Sequence, residues 1–133
     1  MNKPLDDNRD PLTHSIIGAA IRVRKALGCA LLESAYQTFL CHALSVDGLP
    51  FASQTGFPAE FEGMTINLAF RCDLIVQSQV MVEIKAVSEI LPVHRAQLLT
   101  YMRLSGIERG LLINFNAVPF SSGIVRMILT KTT

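Results

Sequence analysis

Apolar residues recur at helical spacing twice in the first third of the chain. Ile16, Ala20, Val23 and Leu27 form the first run, with Thr13 as a plausible N-cap and Gly28 as the stop. A second helix is predicted from Leu31 to Val46. Leu31, Ala35, Phe39 and Ala43 fall on one row, Leu32, Tyr36, Leu40 and Leu44 on the next, and Asp47-Gly48 ends the pattern. The period then changes. Pro50 to Gln54 and Ala59 to Phe61 read as short β pieces, Glu62-Gly63 as a turn, and Met64 to Phe70 as a strand. Arg71 to Val76 and Val80 to Val87 are two further apolar strands joined by Gln77, Ser78 and Gln79.

Pro92 suits the first turn of a third helix that reaches Ser105 and closes at Gly106. Gly110 to Phe115 and Gly123 to Leu129 are the last strands, separated by a loop around Pro119. The order helix, helix, strands, helix, strands implies an α/β chain of the α+β kind, a mixed central sheet flanked by helices. Helix three is expected to cross over that sheet. Residues 1–12 are polar and carry two prolines, so they read as a flexible N-terminal arm ahead of a single domain over 13–133.

Composition narrows the picture. The chain has 133 residues, half of them hydrophobic, which suits one domain with a substantial core. No apolar stretch is long enough to cross a bilayer and the first residues lack the apolar segment of a signal peptide, so a cytoplasmic location and no membrane partner are expected. Cys29, Cys41 and Cys72 are an odd set without CxxC spacing and read as buried free thiols. A net charge of +1 means that any nucleic-acid surface is local. Arg22, Arg24 and Lys25 cluster on helix one and read as a solvated face.

The chemistry concentrates on the central hairpin. Alternation places Met81, Glu83 and Lys85 on one strand face and Val80, Val82, Ile84 and Ala86 on the other. On the preceding strand, Arg71 and Asp73 face opposite to Cys72, Leu74 and Val76 by the same rule. A three-residue turn makes pairing symmetric about Ser78, which sets Asp73 opposite Glu83 and Arg71 opposite Lys85. A two-residue turn would instead set Asp73 opposite Val82. Carboxylates directly opposed on neighbouring strands bring their Cβ atoms within roughly 4.5–5.5 Å and destabilise the sheet unless a cation compensates. Mg²⁺ takes one or two carboxylates together with waters and substrate phosphate, and Lys85 could stabilise the attacking water or the developing charge. The bland alternative is a solvated strand face.

Two helical residues break apolar arcs. Glu33 projects between Leu40 and Leu44 on helix two, and Gln97 among Val93, Tyr101 and Leu104 on helix three. Each is either a core polar group satisfied locally or a neighbour of the hairpin site. His94 lies beside Gln97 on the wheel, as a boundary residue or a ligand.

Asp73 followed by Glu83-Ile84-Lys85 resembles the D…(D/E)xK signature of the PD-(D/E)xK nuclease superfamily. The resemblance extends from His14-Ser15-Ile16-Ile17-Gly18-Ala19-Ala20 through Leu31-Leu32-Glu33-Ser34-Ala35-Tyr36 and Arg71-Cys72-Asp73-Leu74 to Ala96-Gln97-Leu98-Leu99-Thr100-Tyr101 and Asn114-Phe115-Asn116. Over most of its length the chain is similar to the bacterial GxxExxY family. Ala30 stands where the namesake glycine would be, while Tyr36 is retained. The resemblance implies a restriction-endonuclease-like core and a metal-dependent nuclease using Mg²⁺ or Mn²⁺ on nucleic acid, DNA before RNA. Asp73 and Glu83 would hold the metal, Glu33 would add an acidic group, and Lys85 would assist the water. Gln97 and Tyr101 are similar to the QxxxY element of RecB-like nucleases, whose glutamine helps orient the site. Tyr36, Arg71, His94 and Tyr101 complete the set as substrate-binding or supporting residues. The alternative is a non-catalytic module of the same fold that binds nucleic acid or a protein partner. A homodimer burying an apolar patch is also compatible with the composition.

Overall fold

The computed structural model describes residues 10–130. Helices α1 (Pro11–Leu27) and α2 (Glu33–Val46) precede β1 (Phe51–Phe61), β2 (Met64–Val76) and β3 (Val80–Lys85); α3 (Pro92–Ser105), β4 (Arg109–Asn114) and β5 (Ile124–Ile128) follow. The five strands lie in chain order in one sheet. Every neighbouring pair is antiparallel except β3 and β4, which are parallel and joined by α3. A parallel pair needs such a crossover, so the expected role of helix three holds.

The two sheet faces carry two cores. Val80, Val82 and Ile84 pack with Ile16, Ala20, Tyr36 and Leu40 of α1 and α2. Met81 and Leu112 pack with Leu98 and Met102 of α3 on the other side. This is the alternation expected of β3. Helix α3 lies close against β4 because Gly110 has no side chain there; a Cβ would stand 2.6 Å from the Met102 sulfur.

Several boundaries differ from the sequence expectation. Helix α1 starts at Pro11, not after Thr13, and its N-cap is Asp10, which accepts hydrogen bonds from the Thr13 amide and hydroxyl. Proline at N1 loses no hydrogen bond, so a residue assigned to the arm instead opens the helix. Of the expected arm, residues 1–9 lie outside the described residues. Helix α2 begins at Glu33, leaving Leu31 and Leu32 exposed before it. The two β pieces around Pro58 are one strand, because Pro58 sits where the β1–β2 register shifts and owes no ladder hydrogen bond. Likewise, the two strands expected across Phe70 and Arg71 are continuous as β2.

Strict alternation fails on β2. Cys72 packs on the α3 side while Leu74 packs with α1 and α2, so the strand changes face at Asp73. Beyond that point β1 and β2 run on as a two-stranded arm, since β3 pairs β2 only from Leu74 to Val76. The arm exposes Phe61, Met64, Ile66 and Leu68. Its base is held to α3 by stacked rings, Phe57 on Phe70 at 5.1 Å and Phe70 on Tyr101 at 4.1 Å.

Other residues have settled structural partners. Arg22 forms a two-point ion pair with Asp47, and Arg24 donates to the Ala117 carbonyl and lies over Phe120, so the basic cluster is more than a solvated face. Of the three cysteines, all free, only Cys72 is buried; Cys29 is exposed. Among the described residues no helix is long and apolar enough to cross a membrane.

Candidate active site

The hairpin turn has three residues, Gln77 to Gln79, with left-handed backbones at Gln77 and Ser78. Val76 pairs with Val80 and Leu74 with Val82, which is the register symmetric about Ser78. The ladder stops there. Asp73 and Glu83 are next in line, but they are not ladder partners; the Asp73 side chain accepts a hydrogen bond from the Ile84 amide at 2.8 Å. A carboxylate has replaced a strand carbonyl at the point where β2 and β3 part. The expected pairing of Arg71 with Lys85 does not form, because Arg71 lies beyond the end of the β2–β3 ladder, where β2 pairs with β1 alone.

Glu83 is buried, with 4% of its surface exposed, and its Oε1 has no hydrogen-bond partner. Burial pushes its pKa up to about 9, the adjacent Asp73 carboxyl adds to the rise, and Lys85 opposes it. An isolated buried carboxylate is costly in its charged form, and two side by side are worse. This is the signature of a pair that a cation would neutralise.

Lys85 is fixed from the opposite side. Its ammonium donates to Gln97 Oε1 at 3.0 Å, and the Gln97 amide nitrogen donates to the Tyr101 hydroxyl at 3.1 Å. Tyr101 thereby turns the amide so that oxygen faces lysine. Gln97 and Tyr101 are both half-buried, one turn apart on α3. Gln97 is therefore a bridge between sheet and helix and not a core residue, since the neighbours expected around it, Val93 and Leu104, are 64% and 50% exposed.

Glu33 is exposed at the first position of α2 instead of lying on the helix core face. Partial desolvation raises its pKa, and Asp73 raises it further against the opposing charges of Lys85 and His94. These four groups therefore share one electrostatic neighbourhood. Among the described residues, however, no three His, Cys, Asp or Glu side chains form a group able to hold a metal. Asp73 and Glu83 form the acidic pair, and Glu33 stands apart from it as a lone acid at the helix start. A pair suits a hard divalent cation that keeps several waters, and the orphaned Glu83 Oε1 supplies the observation that such a cation fits.

The remaining candidates have other work. Tyr36 is fully buried, stacks on Phe115 at 4.6 Å, donates to the Gly28 carbonyl at 2.7 Å and accepts from the Leu31 amide. It staples the loop that leads into Glu33 and is closed off from solvent. In that loop Ala30 has a φ of 76°, the left-handed conformation that glycine adopts readily, and its amide donates to Asn116 Oδ1. His94 closes the first turn of α3, where its Nδ1 accepts from the Leu91 amide. Arg71 is exposed, and no hydrogen bond or ion pair ties it to the cluster among the described residues.

Two residues at the site escaped the sequence reading. Gln37 Nε2 donates to the Asp73 carbonyl at 3.4 Å, and Gln54 Nε2 reaches Gln37 Oε1 at 3.1 Å and Asp73 Oδ1 at 3.5 Å. Gln37 lies one turn after Glu33 and so shares its face, which was a readable signal. Gln54 had none, because nothing local announces a left-handed residue within a strand.

The sequence profile of the PD-(D/E)XK nuclease superfamily matches residues 10–127. The mixed five-stranded sheet and three helices agree with the restriction-endonuclease-like fold of that superfamily. Neither the curated proteins nor the solved structures contain a match.

Proposed function

The chain belongs to the PD-(D/E)XK nuclease superfamily, and from that premise we propose that it is a metal-dependent nuclease hydrolysing phosphodiester bonds, of DNA in preference to RNA. The observation that carries this reading is the buried Glu83 carboxyl beside Asp73, with an oxygen left unpartnered and a lysine held two residues away. Asp73 and Glu83 are the residues to hold Mg²⁺ or Mn²⁺, with Glu33 as an outlying acid. When bound, such an ion neutralises phosphate charge and lowers the pKa of water.

The chain's own groups supply the rest. Lys85, kept in place by Gln97, aims a fixed positive charge at the oxygen on which negative charge develops. Tyr101 holds the Gln97 amide in the orientation that Lys85 needs. Glu33, at the start of α2, adds an acidic side chain to the electrostatic neighbourhood of Asp73 and Lys85. The retained Tyr36 and the left-handed Ala30 backbone support a place in the GxxExxY family. Free cysteines suit a reducing cytoplasm, and the exposed apolar residues of the arm suit a homodimer.

The test is cleavage of single- and double-stranded DNA and RNA by the full chain with Mg²⁺ and with Mn²⁺. Hydrolysis that disappears in Asp73→Asn supports the reading, and no hydrolysis of any substrate by the folded wild-type chain overturns it. The near-neutral net charge favours one second reading, a non-catalytic module of this fold. That module would bind its nucleic acid or protein partner equally well in wild type and Asp73→Asn.

A further inference from the structure

The sheet is deformed around Asp73 on two strands at once. In β1, Phe51 packs with α1 and α2 whereas Phe57 packs toward α3, although their even spacing puts them on one face in a regular strand. In β2, Leu74 and Cys72 split between faces in the same way. Register partners are kept on either side, Ser53 with Leu74 and Thr55 with Cys72. The level between them holds Gln54 and Asp73. Gln54 has a φ of 51°, a left-handed conformation that a side-chain-bearing residue adopts only when its surroundings impose it.

That bend has a chemical result. It places the Gln54 amide over the Asp73 carboxylate at 3.5 Å, where it also meets Gln37 at 3.1 Å. Gln37 in turn holds the Asp73 carbonyl. Asp73 is thus gripped at its main chain by α2 and at one carboxylate oxygen by β1, while its other oxygen takes the Ile84 amide. We propose that Gln54 and Gln37 form a two-amide clamp that positions Asp73, with Gln54 setting the carboxylate plane that meets Ile84 and Glu83. Neither glutamine is a catalytic residue; each acts through Asp73. The inference deepens the proposed nuclease reading, since it concerns the orientation of a residue that reading assigns to the metal.

The experiment follows the Ile84 backbone amide by ¹H–¹⁵N NMR in the full-length chain, in the absence of metal. Gln54→Gly is the decisive variant because glycine keeps the left-handed bend and removes the amide. Gln37→Leu removes the other half of the clamp. The clamp predicts that in both variants the Ile84 resonance moves toward its position in Asp73→Asn, while amides of α3 stay in place. It also predicts Mn²⁺ affinity about tenfold weaker in Gln54→Gly, the weight of one hydrogen bond to a charged group, and a smaller loss in Gln37→Leu, whose bond goes to the neutral Asp73 carbonyl. An Ile84 resonance unchanged in Gln54→Gly overturns the inference, whatever the Mn²⁺ result. A wild-type chain that binds no Mn²⁺ tells instead against the nuclease reading, and the Ile84 resonance still decides the role of Gln54.

Discussion

Lys85 and Gln97 are joined across the sheet–helix boundary by a 3.0 Å hydrogen bond in which the lysine ammonium donates to the amide oxygen. The bond ties the last residue of β3 to the second turn of α3, and Tyr101 sets its direction from the helix side. A flexible lysine is thereby held in one orientation, which is the form in which a point charge contributes to a transition state.

Gln97→Leu removes the bond while keeping the volume. The rate constant kcat is expected to fall roughly 10- to 100-fold with little change in KM, the weight of one charge-assisted hydrogen bond. Tyr101→Phe releases only the orientation of the amide and is expected to fall less. Steady-state kinetics on a DNA substrate checks both, and a Gln97→Leu enzyme of wild-type kcat would remove Gln97 from the site.

Glu83 gives the metal-free protein a pH dependence of definite sign. Its folded pKa, about 9, lies above the ordinary value of 4.5. Its stabilising contribution is therefore complete below pH 4.5 and is lost as pH rises through 9. Denaturant unfolding in chelator should show stability declining across that range, and Glu83→Gln should flatten the decline and gain about 1–3 kcal/mol at the alkaline end. A decline of equal slope in both proteins assigns it to another group.

Asp10 acts at the acid end. Burial pushes its pKa up, but hydrogen bonds from Thr13 and Arg109 outweigh this and hold it below 3.8. Its contribution is present above pH 3.8 and is lost as pH falls through the lower folded value. Asp10→Ala removes both the α1 cap and the ion pair to Arg109 at the start of β4, and about 2–4 kcal/mol should be lost at neutral pH. Unfolding titrations from neutral to strongly acidic pH should show a stability loss in wild type that the variant lacks.

Ala30 holds a glycine-like backbone at φ 76°. Ala30→Gly relieves that strain at some entropic cost, for a net gain of about 0.5–1 kcal/mol. The denaturation midpoint should rise with no change in slope. An unchanged or lowered midpoint means that the loop, stapled by Tyr36 and Asn116, accommodates alanine without strain.

The residues of β3 show what a sequence discloses. Alternation from Val80 to Lys85 was readable because both faces are buried against different helices, so pattern and packing say the same thing. The Ser78-centred register was readable from the length of the turn, Gln77 to Gln79. What was hidden depends on backbone conformations that no side chain announces. Gln54 bends β1, Asp73 leaves the alternating pattern, and a hydrogen bond from Ile84 replaces the expected face-to-face pair. Glu33 and Tyr36 show a second limit. A helical wheel assumed that the helix began before Glu33, whereas the true start leaves the acid exposed and gives Tyr36 the loop to hold.

The most direct measurement is a crystal structure of the full chain soaked in Mn²⁺, with the ion located by its anomalous scattering. A peak in contact with both the Asp73 and Glu83 carboxylates is the expected result, with Lys85 still bound to Gln97. No peak between those two carboxylates at saturating Mn²⁺, or an ion held elsewhere, would contradict the assignment of this pair as the metal site.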